Sequence, residues 1–413
     1  GGQGEVYLAS SEGRDVALKW YFRHMGTPEQ KEILKKLIEL GPPDKRFLWP
    51  EDLIEKPANK GGYGYVMPLR EDRFQGVISL LAGNVSPSYR VLTTAAFELV
   101  DAFFNLHAKG LSYRDINEGG VFIDFSKGDV LICDNDNVYV DGLGDATVLG
   151  KMRWMAPEIV RGMAKPSRDT DLYSLSVLLF FLFVVNHPLD GKLEANIKCK
   201  DLRAMTRLYG EKPVFIYDPG DESNRPDPDY HRNALALWPN YPYAFQRLFV
   251  RAFTDGLHDP EHGRVQENEW RKALVELRDL LFKCNYCDSE VFYDLEKVRG
   301  GIEPACLDCG KVLSSPARMK IEGYDGIIVL EEGTMLYDHH LRSRCEFQLE
   351  KPRALVVANP KDARRKGLKN LTDNTWVVTN ESGKRSEVET GRSAGFSGGE
   401  TINFGERRAS VRV

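Results

Sequence analysis

At 413 residues the chain is long for a single core and calls for two or three domains, while 42% hydrophobic and 28% charged residues are the balance of an ordinary globular protein. A net charge of −5 argues against nucleic acid or an anionic membrane as a partner. The longest apolar run, residues 175–185, holds eleven residues against the ~20 that cross a bilayer, so it reads as a buried helix.

The opening stretch GGQGEVYLAS has neither an initiator Met nor a basic-then-apolar leader. It starts inside a motif, so the natural protein is expected to extend upstream. Strand-like runs EVYLAS, DVALKWYF and YGYVMPL alternate with glycine turns over residues 1–70. One helix interrupts them: Thr27 can cap it, Pro28 takes its first position, EQKEILKKLIEL carries the period, and Gly41-Pro42-Pro43 stops it. From about Arg90 the period is helical through VLTTAAFELVDAFFNLHAKG; short strands VFIDF and DVLICDND follow, then helices to about Phe282. A strand-rich lobe over 1–70 joined to a larger helical lobe over 71–282 is a two-lobed α+β architecture. After Phe282 come two cysteine pairs. Beyond Lys320 the runs GIIVLEEGT, RALVVANP, NTWVVTNESGK, GGETINFG and ASVRV read as strands of a β-sandwich or barrel.

The first half carries residues suited to phosphate handling. Gly1-Gly2-Gln3-Gly4-Glu5-Val6 has the glycine spacing of a loop that closes over phosphates, with its first glycine before the start. VALK places Ala17 and Lys19 at a strand end, where the lysine can reach those phosphates. Glu29 and Glu32 on the following helix can each pair with Lys19, Glu32 being the better placed. Further on, LHAKGLSYRDINEGGVFID sets Asp115 between a helix and a strand, ICDNDN sets Asp134 at a strand end, and WMAPE precedes RDTDLYSLSVLLFFLFVVNHPLDG.

In this order the motifs resemble the eukaryotic-like (bacterial) Ser/Thr protein kinase family over residues 1–282. The resemblance implies ATP and Mg²⁺ as cofactors and a protein substrate. Lys19 would hold the α- and β-phosphates, Asp134 would bind Mg²⁺, and Asp115 would orient the acceptor hydroxyl and take its proton. Met67 would be the gatekeeper beside adenine and Leu69 a backbone contact in the hinge. Glu158 would pair with Arg264, and Asp171 would support the catalytic-loop backbone. Thr147, with Arg114 to receive a phosphate, is a candidate regulatory site.

Five positions depart from the family. Tyr113 stands for His, Asn117 for a phosphate-neutralising Lys, Gly120 for a metal-binding Asn, DND (134–136) for D-F-G, and Lys151 for Thr. Asn117 could reach the metal, Asp136 adds a carboxylate, and Lys151 could restore the charge. Two readings stay open: a working kinase, or a nucleotide-binding pseudokinase acting as a scaffold or regulatory binding module.

Cys284, Cys287, Cys306 and Cys309 form two Cys-x-x-Cys pairs separated by 18 residues, the pattern of a structural Zn²⁺ site in a reducing compartment. A zinc ribbon is therefore expected over 283–317, a β-sandwich-like domain over 318–413, and a cytoplasmic location. The last strands, LKNLTDNTWVVTNESGKR…GFSGGETINFG, resemble a forkhead-associated domain. Asp338, His339 and His340 in YDHHL suggest a metal, but neighbouring histidines on a strand face opposite ways. The three-part plan resembles bacterial kinases of tellurium-resistance-like systems, which implies a cognate phosphatase and a von Willebrand A-type protein as partners.

Overall fold

The computed structural model describes residues 3–55, 62–140 and 150–413. Its contacts divide the chain into two compact units, one of Gly1–Pro87, Ala95–Trp238 and Arg247–Trp270, the other of Ser88–Thr94, Pro239–Gln246 and Arg271–Val413.

The first unit opens with strands β1 (Gly4–Ser11) and β2 (Arg14–Tyr21), helix α1 (Pro28–Leu40), and strands β3 (Asp52–Glu55) and β4 (Tyr63–Pro68). They form an antiparallel sheet of order β1-β2-β4-β3. Helix α1 starts and stops as its sequence dictates. Thr27 accepts the Gln30 N–H at 3.2 Å, Pro28 occupies the first turn, and Gly41, at φ 67°, returns its N–H to Leu37 and Ile38. Ile33, Leu34 and Leu37 form its buried face.

Helix α2 (Tyr89–Ala108) leads into a small sheet of β5 (Gln75–Gly76), β6 (Val121–Ile123) and β7 (Val130–Ile132). The apolar run expected to be buried lies in α3 (Arg168–Val184), whose residues 170–184 are all buried. Phe180 packs there against Phe215, Trp238, Phe249 and Phe253. Helices α4 (Tyr243–Ala252) and α5 (Glu267–Asp279) follow. No helix among the described residues is long and apolar enough to cross a membrane.

In the second unit, β8 (Leu281–Lys283) and β9 (Glu290–Phe292) form a hairpin. The remaining strands are β10 (Arg318–Ile321), β11 (Ile328–Val329), β12 (Met335–Leu336), β13 (Ala354–Asn359), β14 (Asp362–Asn370), β15 (Trp376–Thr379), β16 (Arg385–Val388), β17 (Ser393–Gly395), β18 (Thr401–Asn403) and β19 (Arg408–Arg412). They make one sheet of order β11-β10-β19-β18-β15-β16 and another of order β12-β13-β14-β17. Both sheets bury side chains in one core, with Met319, Trp376 and Val411 from the first and Leu336, Val356 and Leu368 from the second.

The YDHHL segment is a correction. Asp338–Leu341 is one helical turn, not a strand. His340 Nε2 lies 3.0 Å from Asp279, whose carboxylate also accepts the Tyr324 hydroxyl at 2.6 Å. His339 is buried against Tyr337 and Phe347. The turn is held by this polar network through His340, which also accepts the Tyr337 N–H at 2.9 Å.

Candidate active site

Strand alternation puts Ala17, Lys19 and Tyr21 on one face of β2. Lys19 faces Val6 on β1 and Tyr65 on β4, while Ala17 faces Met67. Lys19 is 4% exposed. Its Nζ lies 2.8 Å from both carboxylate oxygens of Asp136, 3.3 Å from Asp134 and 3.2 Å from the Gln3 side-chain Oε1. The Asp136 side chain is fully buried and also accepts the hydroxyls of Tyr65, at 3.0 Å, and of Tyr21. Gln30 on α1 donates its amide to the Asp136 carbonyl at 3.0 Å. Burial alone would push the Lys19 ammonium down, but the Asp136 and Asp134 carboxylates outweigh it and hold it above the usual lysine value. Burial, with the Asp136 charge behind it, pushes Tyr21 and Tyr65 well up, so both remain protonated donors.

Two expectations are corrected here. Glu32 does not meet Lys19: its side chain is 65% exposed and bonds Lys35 at 2.7 Å on its own helix. Glu29 is exposed as well. The cause is helical phase. Gln30, Ile33, Leu34 and Leu37 repeat at i, i+3, i+4, i+7, so Gln30 shares the inward face and both glutamates fall off it. Asp136, in turn, is not open to a metal ion. A carboxylate has about four lone-pair sites, and Lys19, Tyr21 and Tyr65 take them.

Asp134 adopts a left-handed conformation, φ 56°, ahead of a single 3₁₀ turn, and its side chain is 51% exposed. The next residue, Asn135, is fully buried and donates to the carbonyls of Leu48, at 2.8 Å, and Ile132, at 3.0 Å. These bonds fix the turn, so Asp134 points outward while Asp136 points inward.

The Asp115 loop is pinned from below. Asp171, in the first turn of α3, accepts the backbone N–H groups of Tyr113 and Arg114, the latter at 3.2 Å. Tyr113 is buried edge-on against Phe103 and donates its hydroxyl to the Cys133 carbonyl. Asn117 Nδ2 donates to the Asp115 carboxylate at 2.8 Å, and its Oδ1 accepts from Lys151 Nζ at 3.2 Å. Lys151 also lies 3.1 Å from Glu118. Burial pushes the Asp115 carboxyl up, opposed by the Asn117 hydrogen bond, the Lys151 backbone N–H and the Lys151 charge. At Gly120 a Cβ would sit 3.6 Å from the Tyr113 hydroxyl and 3.7 Å from the Cys133 carbonyl oxygen, an ordinary contact, so sterics do not impose glycine there.

Of the remaining expected site residues, Gly4 is glycine for a steric reason, since a Cβ would meet the Trp20 carbonyl oxygen at 2.3 Å. Ala17 and Met67 are buried, and Val6 and Leu69 are exposed. Gly1, Gly2 and Thr147 lie outside the described residues. Glu158 and Arg264 pair at 2.7 Å. Tyr21, Tyr65 and Gln30 escaped sequence reasoning. The alternation in KWY and YGYVM does place Tyr21 and Tyr65 on the lysine's face, and that was the usable signal.

In the second unit, the sulfurs of Cys284, Cys287, Cys306 and Cys309 lie within 4.8 Å of one another. Cys284–Cys309 and Cys287–Cys306 are each 3.6 Å apart. Zn–S bonds of about 2.3 Å in a tetrahedron give S···S edges of ~3.8 Å, so the four thiols fit one such ion. Cys284 and Cys306 share a small core with Phe282, Tyr293, Leu313 and Val329.

Comparison with known proteins agrees with this geometry in part. The protein kinase domain family model matches residues 69–237. The chain is similar to CBL-interacting protein kinase 4 of Oryza sativa subsp. japonica, 29% identical over 178 residues, covering 41% of this chain and 38% of that protein. It is similar to the DNA damage-responsive serine/threonine-protein kinase RqkA of Deinococcus radiodurans, 27% identical over 205 residues, covering 48% of this chain and 30% of the relative. Serine/threonine-protein kinase PrkC of Bacillus subtilis is 29% identical over 121 residues, covering 26% and 17%. The chain thus spans well under half the length of these curated relatives. The family match includes Asp115 and Asp134 and leaves Lys19 outside it.

Proposed function

We propose that the protein is an ATP- and Mg²⁺-dependent kinase that transfers a phosphoryl group to serine or threonine of a protein substrate. Asp115 is the residue that meets the acceptor hydroxyl, orients it and takes its proton. A carboxyl raised by burial is the better base near neutral pH. Lys19 and the outward-facing Asp134 would hold the nucleotide phosphates and Mg²⁺, whose charge neutralisation is the chemistry that phosphoryl transfer needs. Ala17, Met67, Val6 and Leu69 would line the nucleotide, with the glycine segment over it. The observation that carries this reading is the Asp115–Asn117–Lys151 chain. It sets a cation beside the loop at the point where the family's lysine is missing. The test is incubation with γ-labelled ATP, Mg²⁺ and a generic protein acceptor. Transfer by the wild type and none by Asp115→Ala is expected; no transfer by the wild type sinks the reading.

A second reading, a nucleotide-binding pseudokinase, is favoured by one observation. Asn117 Oδ1 already accepts from Gly119 and Lys151, so it is engaged where it was to replace the metal-binding asparagine. A thermal shift with ATP but no transfer would select this reading.

Residues 283–317 are read as a zinc ribbon and residues 318–413 as a β-sandwich-like domain, supported by the four converging thiols and the shared two-sheet core. One zinc per chain by elemental analysis is the requirement. A cytoplasmic location rests on the paired-cysteine pattern of a reducing compartment, and a bacterial setting with a cognate phosphatase and a von Willebrand A-type protein as partners rests on the three-part plan.

A further inference from the structure

We infer that Asp136 is the positioning residue for Lys19, and that no helix carboxylate shares the task. The inference rests on the reading of Lys19 as the phosphate-binding lysine. An ammonium 4% exposed needs a counter-charge and cannot be left unpaired. Among the described residues the anions that meet it are Asp136, bidentate at 2.8 Å and fully buried, and Asp134, at 3.3 Å and half-exposed. Asp136 is itself immobilised by the Tyr21 and Tyr65 hydroxyls and, through its carbonyl, by the Gln30 amide. The carboxylates of α1 turn away, Glu32 to Lys35 and the exposed Glu29 to Thr27 and its own backbone at the helix start.

The consequence is a coupling within one short turn. Asp134 and Asp136 flank Asn135, whose buried amide anchors the turn to Leu48 and Ile132. A single 3₁₀ turn therefore registers both the lysine for the phosphates and the carboxylate proposed for Mg²⁺. Helix α1 acts on Lys19 only at second hand, through Gln30.

Two measurements that do not depend on catalysis test this. The first is the rate at which an amine-reactive ester labels Lys19, followed by peptide mass spectrometry in the full chain at fixed pH. Asp136→Asn removes the ion-pair partner. Freed of the carboxylate that grips it through both oxygens, the ammonium leaves its buried seat more often, so labelling should rise severalfold, with Glu29→Gln and Glu32→Gln unchanged. Equal acceleration by Glu29→Gln or Glu32→Gln, or none by Asp136→Asn, overturns the inference. If Asp136→Asn does not fold, the second measurement decides. Lys19→Met strands a buried carboxylate, so Lys19→Met/Asp136→Asn should melt above Lys19→Met, while Lys19→Met/Glu32→Gln melts with it. A double variant no more stable than Lys19→Met overturns the inference.

Binding of ATP with Mg²⁺ then separates the two claims. If the lysine serves phosphates, Asp136→Asn weakens binding about tenfold and Glu32→Gln leaves it within twofold. A wild type that ignores ATP defeats the kinase reading while the labelling and melting results still stand or fall on the anchor.

Discussion

Gly150 shows how little room the proposed base has. Its φ is +77°, and a Cβ there would meet the Asp115 carboxylate at 2.9 Å and the Arg114 carbonyl oxygen at 3.2 Å. Gly150→Ala therefore carries a left-handed backbone penalty of about 1 kcal/mol and also pushes the carboxylate away. Displacing a reacting group by about 1 Å costs ~10²-fold in rate. A fall in kcat of that size, with a melting temperature lowered only by the backbone penalty, is expected from steady-state assays and a thermal melt. A stable variant with full kcat would show that Asp115 need not sit where it does. At this scale residue type and order in the chain are what single out Lys19, Asp115 and Asp134 in the sequence, and the structure sets Lys19 beside Asp134. The sequence was not readable where the partner is distant. Asp136 reaches Lys19 across 117 residues and Tyr65 across 71. Nothing local to DND says that its second carboxylate turns inward.

Three helix ends meet beneath the Asp115 loop, and their charges agree with their dipoles. His107 lies in the last turn of α2, while Asp171 and Glu267 lie in the first turns of α3 and α5. His107 Nδ1 is 2.5 Å from Glu267 and its Nε2 is 3.1 Å from Asp171. Burial alone would push His107 down, but hydrogen bonds and charge from Asp171 and Glu267 raise it to about 9. Arg168 also pairs with Glu267. Because the folded value lies above the unfolded one, the stabilisation is fully present below about pH 6.5 and is lost as pH rises through about 9. At 1.36 kcal/mol per unit it is on the order of 3 kcal/mol. Melting temperature measured from pH 6 to 10 should fall across that window in the wild type and stay flatter in His107→Phe. Parallel curves would remove the charged histidine from the account. The elements themselves were largely legible: α1 follows its cap and its proline, and α3 its apolar run. Strand β14 was missed because DARRKGLKN carries four basic residues and a glycine and lacks the alternation that marks a half-buried strand.

For the molecule as a whole, the two compact units differ in what holds them. The first has the buried run 170–184 of α3 and its aromatic cluster, whereas the cysteine segment of the second has a small apolar cluster around Cys284 and Cys306. A core that small leaves the ordering of residues 281–313 to the four thiols, and a bound ion supplies folding free energy outright, on the order of 10 kcal/mol in small zinc modules. Calorimetry of the full chain should therefore resolve two transitions. A zinc chelator should lower one of them by about 10 °C or more, since a domain of 150–250 residues moves about 2–4 °C per kcal/mol. Cys306→Ser should reproduce that shift, while the Asp115→Ala variant should leave both transitions in place. The transition that moves must belong to the unit containing residues 271–413, which limited proteolysis at the intermediate temperature identifies by the fragment that is lost. If chelation moves neither transition, or moves the one retaining Lys19 and Asp115, the four thiols are not what orders the cysteine segment.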